Sequence, residues 1–149
     1  MGIEVPDGVL SISVGRIIID QDLGETFAAE TGFLISRDPD TVLAPDFAYI
    51  AKERLPDPLS RSYVPVVTDI VLEGRSPSDT SRGVAEKVER WIKAGVKLVW
   101  ELNPADQTLT VYRPGVTPRV LGILDVLDGE EVLPGFSVSL SNLFPVPRN

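Results

Sequence analysis

The chain has 149 residues, 43% of them hydrophobic, enough for one ordinary core and close to the commonest size of a single domain. It contains neither cysteine nor histidine, which excludes disulfides, thiolate metal sites, cysteine nucleophiles, histidine zinc ligands and histidine general bases. Chemistry must then come from carboxylates, lysine, arginine, hydroxyls and a hard metal with oxygen ligands, magnesium or manganese, while the net charge of −8 weighs against wide contact with phosphate backbones.

No apolar run approaches the roughly 20 residues that cross a bilayer. The first eight residues carry Glu4 and Asp7 rather than a basic start followed by an apolar core, so no secretory signal is visible and a cytoplasmic protein is expected. The first twenty residues alternate weakly around Val9, Ile12, Val14 and Ile17 to Ile19, and predict one or two short strands. Residues 26–36 have strand-like apolar density, and Arg37-Asp38-Pro39-Asp40 carries turn chemistry. A second strand is expected over 47–50. Residues 52–62, with Pro56 and Pro58, read as a surface loop, and 64–73 as an apolar strand buried on both faces.

Pro77, Ser78 and Asp79 end that strand and offer caps for a helix over 80–94, with Gly95 placed to stop it. Its apolar face, Val84, Val88, Trp91 and Ile92, follows helical spacing. Residues 97–102 and 108–113 flank the turn Asn103 to Asp106 and predict a hairpin. A short strand over 120–124, a turn at Asp128-Gly129 and a proline-rich end after 136–144 complete the pattern. Strand, helix, strand and hairpin in this order predict an α/β or α+β layer, one sheet with a flanking helix.

Three residues could carry chemistry together. Glu73 ends an apolar strand, a rigid place that opens to solvent, and Asp69 lies four residues earlier on the same side of a regular strand. Asp46 follows Ala44-Pro45, whose proline holds its neighbour extended and so fixes the acid's approach. Lys87 lies on the border of the helix's apolar face beside Val84 and Trp91, where its stem can pack while the ammonium reaches the sheet edge. Spacing alone fits equally a solvated strand-end glutamate, a turn aspartate and a lysine paired with Glu86. A serine nucleophile in Ser76-Pro77-Ser78 lacks a base, so that stretch is expected to turn the chain, with Ser78 or Asp79 capping the helix. Trp91 and Trp100 are expected in the core.

The segments LAPDFAYIAKERLP, VTDIVLEGRSPSDTS, VAEKVERWIKAGVKLVWELNP, TLTVYRPG and DVLDGEEVLPGFSVSLSNLF occur in the order, and with the gaps, of the Uma-type restriction endonuclease family of the PD-(D/E)XK nuclease superfamily. The resemblance covers about residues 24–146. It implies one restriction-endonuclease-like domain over 1–149: a mixed sheet with a flanking helix and C-terminal β-hairpins. It also implies a magnesium- or manganese-dependent endonuclease acting on DNA. Asp46 and Glu73 would hold the metal with the Gly74 carbonyl as a further ligand, and Lys87 would stand beside the attacking water.

The chain departs from that family at two places. Relatives carry several tens of additional N-terminal residues, and edge strands uncovered by the short replacement favour a homodimer. Relatives also have two aliphatic residues where this chain has Gly74-Arg75. Arg75, two residues after Glu73, stands where the superfamily places a lysine; it cannot serve as a base but can clamp a phosphate. The competing reading is a catalytically inactive domain of the same fold acting in self-association or protein interaction.

Overall fold

The computed structural model describes residues 5–28, 31–37, 39–55 and 68–144. Its first element is a helix, α1 (Val5–Asp20), because Leu10, Val14 and Ile18 recur every four residues and form one buried stripe. The strands expected in this segment are therefore corrected. Exposed Ile12 and Ile19 lie off the stripe, and these β-branched residues gave the segment its strand-like alternation.

Strands β1 (Gly24–Ala28), β2 (Phe33–Ser36), β3 (Thr41–Leu43) and β4 (Phe47–Ala51) follow, then a 3-10 turn at Lys52–Arg54. Next come β5 (Ile70–Gly74), helix α2 (Ser81–Ala94), β6 (Leu98–Asn103), β7 (Thr108–Arg113), β8 (Val116–Leu121), β9 (Val126–Asp128) and β10 (Ser137–Ser139). Among the described residues, six strands form a mixed sheet in the order β1-β4-β5-β6-β7-β8, in which β5 and β6 pair in parallel and the other neighbours antiparallel. The parallel pair is joined through α2, since parallel neighbours need a crossover. The hairpins β2–β3 and β9–β10 pair separately.

Several boundaries differ from expectation. The strand expected over 26–36 is two strands with different partners, and β3 follows the expected turn, whose Asp38 lies outside the described residues. β5 begins at Ile70; residues 64–67 of the expected strand, and 56–62 of the expected loop, lie outside the described residues. The strand expected over 120–124 is β8, displaced toward the N-terminus. β8 admits Pro118 because it is an edge strand, where a missing N–H need cost no ladder bond.

Helix α2 has the expected bounds for local reasons. The Thr80 hydroxyl accepts from the Gly83 N–H at 2.9 Å, and Gly95 stops the helix in the left-handed region at φ 110°. Thr80 thus takes the capping role expected of Ser78 or Asp79; Asp79 Oδ2 instead accepts from the Ser76 N–H at 2.8 Å.

The sheet is covered on both faces. On one, Tyr49, Ile70, Leu72 and Trp100 pack with α1 and with the C-terminal residues Leu127, Leu133 and Phe136. On the other, Ala48, Ile50, Val71 and Val99 pack under α2 through Val88 and Trp91, with Phe33 of β2. Trp91 and Trp100 are both core residues.

Asp69, just before β5, ties these layers together. It is almost fully buried, and its carboxylate accepts from the Ala51 N–H at 2.7 Å and from Arg54 Nη1 at 2.7 Å, and forms an ion pair with Lys97 Nζ at 3.1 Å. Its carbonyl accepts from the Lys97 and Leu98 N–H groups. Replacing it leaves the half-buried Ala51 N–H without its acceptor and two cations without their buried partner. Asp69→Ala is expected to lower stability by about 2–4 kcal/mol in urea unfolding, well beyond an ordinary surface change.

Candidate active site

Alternation along β5 sends Ile70 and Leu72 toward the α1 side and Val71 toward α2, and Glu73 follows Val71. There Glu73 Oε2 meets Lys87 Nζ, one turn before Trp91 on α2, at 2.8 Å. The lysine is half-exposed and its stem lies along the helix border, while Glu86 pairs with Arg82 instead. The other oxygen, Glu73 Oε1, is buried and has no hydrogen-bond partner among the described residues.

Asp46 lies immediately before β4, directly after buried Pro45. Its Oδ2 accepts from the Gly74 N–H at 2.7 Å, which pins the start of β4 to the end of β5. The structure thus brings Asp46, Glu73 and Lys87 into one neighbourhood with Gly74. Asp69 stands apart, at the opposite end of β5, committed to the tie already described.

Burial pushes the Glu73 carboxyl up to about 7, against the hydrogen bond and charge of Lys87; the charge of Asp46 adds to the rise. For Lys87 burial acts downward, but the hydrogen bond and charge of Glu73 and the charge of Asp46 prevail and its pKa is raised. The ammonium is therefore protonated at neutral pH.

Glu101 was not singled out from sequence. It is the direct neighbour of Glu73 in the parallel register, is buried, and accepts from the Tyr112 hydroxyl at 3.1 Å. Arg75 Nη1 stands 3.7 Å from Glu101 Oε1, and Arg75 Nη2 donates to Ser81 Oγ at 2.6 Å. Burial, with the charge and hydrogen bond of Glu101, pushes the Tyr112 hydroxyl up to about 12. The one acid inside the apolar run KLVWEL was the available signal, but its meaning depends on a register that sequence does not display. Glu73, Lys87, Arg75 and Glu101 line a pocket of about 60 Å³, above the roughly 10–15 Å³ that one water needs.

The sequence model of the Uma2 family, described as "putative restriction endonuclease", matches residues 8–141. The chain belongs to the Uma2 family. The match begins at residue 8, so it takes in most of α1, which the resemblance read from residue 24 had left out. Among solved structures, the chain is similar to a putative nuclease of the DUF820 group from Anabaena variabilis. The TM-score is 0.81 at 18% identity, over 94% of this chain and 78% of that one, a likeness of fold. No curated protein matches the sequence significantly. The fold is thus a mixed α+β architecture that the Anabaena variabilis structure shares, and no helix among the described residues is long and apolar enough to cross a membrane.

Whether this Uma2 chain's residues suit a divalent ion turns on the acids present. Among the described residues there is no group of three or more acidic, histidine or cysteine side chains in metal-binding proximity. Asp46 and Glu73 supply two carboxylates, a number that suits magnesium, which keeps several waters. The unspent, buried Glu73 Oε1 is the feature that a hard cation would satisfy.

A carboxyl whose pKa is raised on folding holds its proton longer in the folded state, so stability is full below the unfolded value and falls as pH rises through the folded one. The metal-free protein is expected to lose melting temperature as pH rises from 4.5 to about 7. Glu73→Gln should remove that part of the slope in a pH series of thermal melts.

Proposed function

We propose that this Uma2 member is a metal-dependent endonuclease that hydrolyses phosphodiester bonds in DNA. The observation that carries the reading is the buried Glu73 carboxylate, with one oxygen on Lys87 and the other unspent, beside a Gly74 N–H held by Asp46. Family membership supports a nuclease and hence nucleic acid as the partner. Residues 1–149 are read as one domain, because both hydrophobic clusters share the same sheet.

In this reading Asp46 and Glu73 hold magnesium or manganese, with the Gly74 carbonyl as a further candidate ligand. The ion would supply Lewis acidity toward the phosphodiester. Asp46 is oriented by the Gly74 N–H, so its free oxygen keeps a fixed direction. Lys87 stays protonated, so it stabilises developing negative charge and orients water rather than accepting a proton. Glu73 holds that ammonium in place at 2.8 Å.

A second reading, an inactive domain that associates with its own copies, draws on a different observation. Edge strand β8 exposes Val116 and Val120, which offers strand pairing in a homodimer.

Cleavage of supercoiled and single-stranded DNA with manganese separates the two. Asp46→Ala and Glu73→Ala are expected to abolish cutting while circular dichroism stays native, and Lys87→Ala to lower kcat roughly 10²–10³-fold. Cutting that survives Glu73→Ala would refute the assignment, and absence of cutting by the unsubstituted protein would favour the association domain.

A further inference from the structure

Arg75 stands where several openings meet. It lines the small pocket shared by Glu73 and Lys87, and also a groove of about 470 Å³ at the ends of β5 and β6 lined by Ser76, Pro77, Asn103 and Pro104; Asp79 lines both. The groove is within the size range of sites for small organic ligands, roughly 300–1,000 Å³.

The guanidinium is only partly committed. Of its five N–H donors, one bonds Ser81 Oγ at 2.6 Å, and no second hydrogen bond from it is found among the described residues. Glu101 Oε1, at 3.7 Å, contributes charge but lies beyond hydrogen-bond range. The side chain is one-fifth exposed, so the remaining donors can reach a ligand.

The neighbouring acids are each held by a neutral donor, which fixes them in place and leaves their charge. Glu101 Oε2 accepts from Tyr112, and Asp79 Oδ2 accepts from the Ser76 N–H. Lys87 is held by Glu73. Arg75 is therefore the cation that can offset the acidic surroundings and admit a phosphate to the groove. A phosphate could replace the neutral Ser81 contact with a paired, charge-assisted one, which suits the arginine fork.

We propose that Arg75 is a phosphate-binding residue that grips the phosphodiester next to the reacting one, so that the adjoining nucleotide lies in the groove beside Ser76 and Asn103. This subsite rests on the nuclease reading and extends it. It gives Arg75 a role in substrate binding, without proton transfer.

The test combines steady-state cleavage with manganese and binding of a fluorescein-labelled DNA duplex in calcium, read by anisotropy across a salt series. Arg75→Gln is expected to raise KM and weaken binding about tenfold, to leave kcat within about twofold, and to reduce the salt slope by about one. Arg75→Lys should restore the salt slope but not the full affinity. Glu101→Gln, which removes the competing charge, should bind DNA more tightly. If Arg75 serves only to hold the fold, Arg75→Gln and Glu101→Gln will lower the melting temperature alike and leave the salt slope unchanged, which overturns the proposal. Glu73-dependent cutting with a KM indifferent to Arg75 also overturns it and leaves the nuclease reading standing. Arg75-dependent binding without any cutting supports the grip and removes the nuclease reading.

Discussion

The parallel pairing of β5 with β6, closed by the crossover helix α2, is the constraint on which the site depends. Parallel neighbours must be joined by a crossover, and here it lies over the sheet face toward which Val71 and Glu73 point. The same packing that buries Val88 and Trp91 against Val71 and Val99 sets Lys87 over Glu73. A carboxylate in this place loses hydration, and Lys87 offsets only part of that loss, which is why burial prevails in its protonation. The fold thus holds an acid under strain of desolvation beside a fixed cation, a condition that an added divalent ion would relieve.

Acidic charge is distributed in a way that does not prevent phosphate chemistry. Glu101 is bonded to Tyr112 and faces Arg75, Asp69 is enclosed by Arg54 and Lys97, and Glu130 meets Arg113 at 2.6 Å. A total of −8 therefore says little about the field at one strand end. The cations at that end, half-exposed Lys87 and more enclosed Arg75, stand against buried carboxylates, where charge interactions are stronger than between fully exposed groups.

What could be read from sequence was what depends on near neighbours along the chain. The bounds of α2 follow from Thr80, Gly95 and a clean helical stripe, and the position of Lys87 follows from the same wheel. Asp46 and Glu73 were marked by a preceding proline and by the end of an apolar strand. The first helix was missed because Ile12 and Ile19 point to solvent and blur the stripe of Leu10, Val14 and Ile18. The split of β1 from β2 was hidden because both are apolar and only their partners differ. Glu101 was missed because its significance comes from standing beside Glu73 across a parallel ladder, a relation fixed by tertiary structure alone.

The central claim is that Asp46 and Glu73 form one divalent-metal site, and calorimetric titration of manganese into the metal-free protein near neutral pH tests it most directly. The account predicts binding at a single site, lost in Asp46→Asn and in Glu73→Gln, and kept in Lys87→Ala, where Glu73 is released from its partner. Manganese binding that is unchanged by either carboxylate substitution, or that is missing from the unsubstituted protein, would contradict it.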